Sequence, residues 1–249
     1  MRITEDEFFD YVRCPIHYHS IHVLKMPFRT PPSFTKCLDK VALAFMTNLM
    51  NGRVMPTGDL KRKWDRVCGE NRGRINESKC IEGIKLLSKM FFWARSKKLR
   101  IADINTPYEM LITGPHGKTS IKGEISTVAV NLKDQFEIFS FDFSRKYPDQ
   151  SMLDMSMKYT LDCLAFEVLF KKETGIHIHH VDSNNDYFSF RSNDDRRRLA
   201  TAIDSVAFSI KNNIFYPRES AFCSTCGIKD LCRMWACQAP QNNDSKKRR

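Results

Sequence analysis

Three cysteines fall within twelve residues near the end of the chain, in the stretch FCSTCGIKDLCR from Phe222 to Arg233. A CxxC step followed by a third cysteine six positions on puts Cys223, Cys226 and Cys232 on one tight turn. A metal–sulfur cluster or a structural zinc ion takes four such ligands. The spacing therefore predicts a metal centre with its fourth ligand elsewhere, a strong constraint on how the chain can close. Cys14, Cys37, Cys68, Cys80, Cys163 and Cys237 are the candidates. Cys14 stands apart because Pro15 follows it in DYVRCPIHYHS. Proline disturbs a helix locally and lets the preceding side chain leave regular packing. Spacing alone leaves iron–sulfur and zinc open.

The 249 residues suit one large domain, or one domain with a sizeable insertion. The opening MRITEDEFF lacks the basic-then-apolar pattern of a signal peptide. A cytoplasmic, reducing compartment is expected, where nine cysteines do not form a disulfide framework. No apolar run approaches the roughly 18–20 residues that span a bilayer, so no membrane partner is expected. The net charge of +11, from 40 Lys+Arg against 29 Asp+Glu, favours a polyanion, nucleic acid first.

Apolar spacing predicts helices over 4–25 (bent or split at Pro15), 33–50, 58–70 and 76–98, with a loop over 26–32. Strands follow at 107–114, 118–130 and 135–144. The last alternates, with Phe139, Phe141 and Phe143 on one face and Ile138, Ser140 and Asp142 on the other. A helix over 151–172, a hairpin over 175–191 around SNND, and a helix capped by Asn193 or Asp194 complete an α+β domain with a central sheet. The expected boundaries are a helical part over about 1–100, a sheet core over about 105–213, and the cysteine cluster over 223–232. All belong to one domain ending near 237. The tail 238–249, QAPQNNDSKKRR, is expected to be disordered and basic.

A Cys-Pro in the first helix, combined with CxxCx5C at the far end, resembles the iron–sulfur branch of the RecB-type PD-(D/E)XK nucleases. AddB-like subunits and the CRISPR-adaptation exonucleases belong to this branch. The resemblance covers nearly the whole chain and includes the ending FYPRESAFCSTCGIKDLCR. It implies a restriction-endonuclease-like core with a central mixed sheet and an N-terminal helical insertion. It also implies a [4Fe-4S] cluster on Cys14, Cys223, Cys226 and Cys232, with zinc as the lesser alternative.

The family cuts DNA with Mg²⁺ or Mn²⁺ held by carboxylates and assisted by a lysine. Its GxxD motif falls on Gly123-Glu124-Ile125-Ser126, where the acid is a serine. Its (D/E)xK motif falls on Asp142-Phe143-Ser144, where the acid is kept and the lysine is a serine. Its QxxxY motif falls on Met155 to Tyr159, where only the tyrosine is kept. Its early histidine falls near Lys40. Serine carries no charge to hold a divalent ion. The resemblance therefore implies a pseudo-nuclease that binds nucleic acid, DNA above all, as a subunit or scaffold of a DNA-processing or transcription complex. The alternative is an active exonuclease in which Glu124 replaces the missing acid and Lys158 the missing lysine, beside Asp142 and Tyr159.

Basic side chains cluster at Lys61, Arg62, Lys63 and Arg66, and at Arg145 and Lys146 beside the family's active site; both are candidate contacts to backbone phosphates. Trp64 is expected as the anchor of an amphipathic helix, and Met152, Met155 and Met157 as core-facing. His177 and His179 share a strand face with no carboxylate or cysteine evident to complete a metal site.

Overall fold

The computed structural model of the chain describes residues 1–27, 33–53, 55–146 and 149–238. The loop expected over 26–32 and the tail expected over 238–249 lie outside these residues, apart from Met26, Pro27 and Gln238.

The chain opens on a strand too short to show a period, β1 (Arg2–Thr4). Thr4 then caps α1 (Glu5–Arg13) in a capping box: the Glu7 N–H donates to Thr4 Oγ1 and the Thr4 N–H to Glu7 Oε2. The helix expected over 4–25 is three pieces. α1 stops at Cys14, whose extended backbone sets Pro15 at the start of α2 (Pro15–Tyr18), and a π-helical turn (His19–Val23) follows. Proline fits the first turn of a helix and not its interior, so the break falls where Pro15 puts it.

Helices α3 (Phe34–Met50), α4 (Thr57–Glu70) and α5 (Glu77–Ser96) lie close to their expected positions. β2 (Arg100–Gly114) runs well upstream of the expected 107–114, because Pro107 sits on an edge strand where it interrupts no ladder on the outer side. β3 (Gly117–Val130) and β4 (Phe136–Asp142) follow. The helix expected over 151–172 is two: α6 (Gln150–Asp154) and α7 (Met157–Phe170). Ser156 between them is extended and caps the Tyr159 N–H. Met152 and Met155 consequently face solvent rather than the core, whereas Met157 packs inward. β5 (Ile176–His180) and β6 (Asn185–Ser189) form the hairpin. Ser192, with Asp195, caps α8 (Asn193–Lys211), one residue before the expected cap. A 3₁₀ turn (Ala221–Thr225) and α9 (Lys229–Gln238) end the described chain.

Six strands form one mixed sheet among the described residues. β2 is one edge and pairs antiparallel along all of β3. On the other side of β3, β1 pairs parallel at Ser120–Lys122 and β4 antiparallel at Val128–Val130. β4 pairs parallel with β5, and β5 antiparallel with β6, the far edge. The alternation of β4 sorts its side chains between two layers. Phe139, Phe141 and Phe143 join Leu38, Phe45, Leu87 and Trp93 under α3–α5. Ile138 joins Phe8, Ile121, Ile125, Leu161 and Ile203 under α1, α7 and α8. Trp64 is buried as the anchor of α4, and its indole N–H donates to the Cys80 carbonyl at 2.8 Å.

Candidate functional site

β1 leaves the edge of β3 at Lys122, and β4 joins that edge only at Val128. Residues 123–127 of β3 therefore have no strand partner on that side among the described residues. β4 diverges beyond Ile138 and carries Asp142 to its end in the resulting fork. Asp142 is sensed from both layers. Burial, with the Asp142 charge beside it, pushes Asp39 of α3 up to about 6. Tyr159 of α7 is pushed up to about 12 by burial and then by Asp142 and Asp162. Asp39, Lys40, Ser126 and Ser140 line a cleft of about 520 Å³ at the fork. Sequence matching pointed to Lys40 here, and Asp39 escaped it. The available signal was the helical stripe Lys36-Asp39-Lys40-Leu43, whose members all line the cleft. Lys40 itself reaches out to Glu70 at 3.6 Å.

Ser144 turns back on Asp142. Its N–H donates to Asp142 Oδ1 at 2.8 Å, and its hydroxyl lies 3.0 Å from Oδ2. Ser126 stands where β3 loses its alternation: Ile125 and Val128 both pack under α1 and α7, while Thr127 reaches Met46 of α3. Opposite Ser126, Asn105 takes a left-handed φ of 54°. Glu124 is exposed and pairs across β2 with Pro107, outside the cleft lining.

Lys158 lies in a different network. Its Nζ is 2.7 Å from Glu5 Oε1 and 2.7 Å from Asp162 Oδ1. The Tyr108 hydroxyl donates to Glu5 Oε2 at 2.9 Å. Gly123 makes room for this group, since a Cβ there would come within 2.5 Å of Glu5 Oε2. Burial pushes Asp162 up to about 6 against the pull of Lys158. Burial likewise opposes the charge on Lys158, but Asp162 and Glu5 hold its pKa above the ordinary value. The Asp142 charge thus acts on both Asp39 and Tyr159, while direct ion pairs gather Lys158 with Glu5 and Asp162.

Cys14, Cys223, Cys226 and Cys232 line one cavity of about 480 Å³ between α2 and the C-terminal segment. Burial raises the Cys232 thiol pKa, and the Cys14, Cys226 and Cys223 sulfurs add to it. The Ser220 N–H points at Cys223 Sγ at 3.5 Å. The donor set fits a metal–sulfur group: four thiols from both ends of the chain around a single space. Among the described residues no three His, Cys, Asp or Glu side chains close on a single ion. The chain ends are also tied without sulfur. The Tyr11 hydroxyl donates to the Ile214 carbonyl and Arg218 to the Val12 carbonyl, each at 2.5 Å, and Phe215 stacks on Tyr18. The other candidate fourth ligands Cys37, Cys68, Cys80 and Cys163 lie elsewhere, against the two sheet-flanking cores.

Lys61, Arg62, Lys63 and Arg66 are all exposed on α4. Arg62 pairs with Asp59. Arg145 is held by Glu82 through two bonds, at 3.0 and 2.6 Å, while Lys146 is exposed. The histidine strand face does have a carboxylate. Asp186 Oδ1 lies 3.2 Å from His177 Nε2 and 2.8 Å from His179 Nδ1, and Glu137 lies 3.0 Å from His177 Nδ1. Among the described residues no helix is long and apolar enough to cross a membrane.

No protein-family model matches the chain, and no curated protein does. Among solved structures it is similar to the crystal structure of SSO0001, at 14% identity over 96% of this chain and 85% of that one, with a TM-score of 0.40. It is also similar to the crystal structure of a protein from Eubacterium rectale named "Putative exonuclease", at 9% identity and a TM-score of 0.54, over 96% of this chain and 93% of that one. What the likeness to the Eubacterium rectale protein shows is the fold alone, in this chain an α+β fold with a central mixed sheet.

Proposed function

We propose that this chain is a nucleic-acid-binding protein derived from a RecB-type iron–sulfur nuclease. In this reading it is catalytically silent and serves in the cytoplasm as a subunit or scaffold of a DNA-processing or transcription complex. One observation carries the silent reading: the residue that the resemblance sets in the lysine position, Ser144, supplies no cation and engages the Asp142 carboxylate. Lys158, the nearest substitute in sequence, is held between Glu5 and Asp162. The nucleic-acid part rests on the net charge of +11 and on the exposed basic face of α4.

A [4Fe-4S] cluster on Cys14, Cys223, Cys226 and Cys232 belongs to this reading. When bound, it supplies a covalent staple between the two ends of the chain.

A second reading is favoured by Asp39. Two carboxylates, Asp39 and Asp142, share the fork, and such a pair would hold Mg²⁺ or Mn²⁺ for DNA cleavage with Asp39 in place of the lost acid.

The deciding experiment uses anaerobically purified protein and end-labelled single- and double-stranded DNA with Mg²⁺ or Mn²⁺. Salt-dependent binding without cleavage supports the first reading. Cleavage lost in both Asp39→Asn and Asp142→Ala establishes the second. Neither binding nor cleavage overturns both.

A further inference from the structure

At the end of the sheet away from Asp142, a cavity of about 500 Å³ opens between the start of β4, the end of α7 and the β5–β6 edge. Phe136 and Asp142 are the two ends of β4, so roughly 20 Å of strand separates this cavity from the fork. Three phenylalanines on its rim are exposed: Phe136 by 44%, Phe188 by 52% and Phe190 by 75%.

Each ring is nonetheless seated on a partner. Phe188 stacks on His177, centroids 4.4 Å apart and planes 26° apart. Phe136 stacks on Phe170 at 24°. Phe190 lies on the backbone of Gly175, where an added Cβ would come within 2.7 Å of the ring. The glycine is the seat, and any side chain there would lift the ring. A ring held on one side and bare on the other is a preorganised stacking platform, and aromatic rings in such a cluster mark a binding surface.

The charge around the cavity decides what kind of partner fits. Its acids each have a basic partner, Asp134 with Arg100 at 2.9 Å, Glu137 with His177 at 3.0 Å, and Glu173 with Arg196 at 3.2 Å, although His177 also meets Asp186 and Arg196 also meets Glu167. Lys172 in the lining, its neighbour Lys171, and Lys133 in the turn before β4 have no acidic partner among the described residues. The side chains left without an ion-pair partner here are therefore lysines. Bare aromatic faces beside unpaired lysines complement a strand whose bases are free to stack and whose phosphates lie alongside. A duplex keeps its base faces inside and would leave the rings unused.

We propose that this edge of the sheet binds single-stranded nucleic acid, with bases stacked on Phe188 and Phe190 and phosphates on Lys171 and Lys172. The proposal rests on the nucleic-acid-binding reading above and adds to it a second site and a strand preference.

The test uses the full chain. Fluorescence anisotropy measures its affinity for a single-stranded oligonucleotide and for a duplex of equal length. A 2-aminopurine base in the single strand reports stacking by its quenching. Phe190→Ala removes the most exposed ring and little packing; Lys171→Gln with Lys172→Gln removes the charges without touching a ring. We expect Phe190→Ala to weaken single-strand binding by about fivefold or more, the effect of one lost stacking ring. Quenching should fall while duplex affinity stays. The lysine variant should weaken single-strand binding and flatten its salt dependence. Wild-type binding that both variants leave unchanged overturns this proposal and leaves the nucleic-acid reading standing. Self-association of the wild type that Phe190→Ala abolishes, with oligonucleotide affinity unchanged, overturns it in favour of an interface between copies. A wild type that binds no nucleic acid removes the earlier reading, and this one with it.

Discussion

Ser144 donates its N–H to Asp142 Oδ1 at 2.8 Å and holds its hydroxyl 3.0 Å from Asp142 Oδ2, sharing that one proton with the Lys146 carbonyl at 2.9 Å. Both oxygens of the acid at the fork are thus met by the residue two positions on. A lysine there would instead extend its ammonium past the carboxylate toward solvent or a bound phosphate. In the nuclease-derived reading, the serine in the lysine position removes a cation and its hydroxyl also occupies the acid.

If that replacement is what silences the fork, reversing it should restore chemistry. The double variant Ser126→Asp with Ser144→Lys places a second acid on the cleft wall and releases Asp142 Oδ2 from the serine hydroxyl, while the backbone N–H of residue 144 stays on Oδ1. We expect Mn²⁺-dependent cleavage of DNA that the wild type lacks, and its loss when Asp142→Ala is added. A folded double variant with no cleavage would show that the fork has lost the geometry for metal as well as the ligands.

Lys158 should matter to stability rather than to chemistry. Its ammonium sits between Glu5, 15% exposed, and Asp162, 5% exposed. Lys158→Ala would leave the half-buried Glu5 and the buried Asp162 facing each other, at a cost below the about 3–5 kcal/mol of breaking a fully buried pair because solvent reaches the lysine. The cost should depend on pH. Asp162 is pushed up to about 6 in the folded chain, above its unfolded value, so the folded state takes up its proton first as pH falls. A raised acid weakens the fold above about pH 6 and relaxes that penalty below it. Without Lys158 the pKa of Asp162 rises further, so the variant should lose most at neutral pH and recover toward pH 5. Urea denaturation across that range measures it. A deficit that stays constant with pH would contradict the assignment.

Local chemistry made much of the fold legible. The two-residue alternation of β4 sorted Phe139, Phe141 and Phe143 from Ile138 because the sheet is covered by a different layer on each side. The break at Pro15 followed from the missing N–H of proline. What stayed hidden lacks a local signal. β1 is three residues long, and its only support is a parallel pairing with Ser120–Lys122 far along the chain. Ser156 looked like one more residue of a continuous helix until its side chain was seen capping the next one. At the fork, motif spacing pointed to Asp142 at a strand end, and a strand end carries its own register. It did not point to Asp39, since which residues of α3 line the cleft depends on how a helix is rotated over the splayed strands. The link from Lys158 to Glu5 is equally non-local: it follows from α1 and α7 both lying over β3, with Gly123 leaving room for Glu5 between them.

The paired histidines should titrate in opposite directions. Burial opposes a charge on His177, but Glu137 and Asp186 outweigh it and raise its pKa. For His179 burial outweighs Asp186, and its pKa falls. A raised histidine contributes stability below its unfolded pKa of about 6.5 and loses it as pH rises through the folded value. A lowered one costs stability as pH falls, because the unfolded chain takes the proton first. His177→Gln should therefore destabilise more at about pH 5.5 than at about pH 8, and His179→Gln less at about pH 5.5 than at about pH 8. His179→Gln also loses a stack on Trp93 at 3.9 Å, which shifts its curve down at every pH without changing the slope. Denaturation midpoints at the two pH values separate the variants; parallel profiles would refute the opposed titration.

Loss of the cysteine centre should loosen the chain ends without unfolding the sheet. Cys14 and Ile16 pack on Ile228, and the bonds from Tyr11 to Ile214 and from Arg218 to Val12 join the same segments independently of sulfur. Anaerobically purified wild type should carry a broad visible absorption, and Cys226→Ala should lose it. Hydrogen exchange in the variant should then quicken in Cys14–Tyr18 and Ser220–Arg233, while β3–β5 keep their protection, because the two large cores do not include the cysteine cavity. A colourless wild type with stoichiometric zinc would replace the iron–sulfur assignment and keep the staple. Unchanged exchange at both ends after Cys226→Ala would remove the staple itself, leaving the aromatic and backbone contacts of Tyr11, Phe215 and Arg218 as what closes the fold.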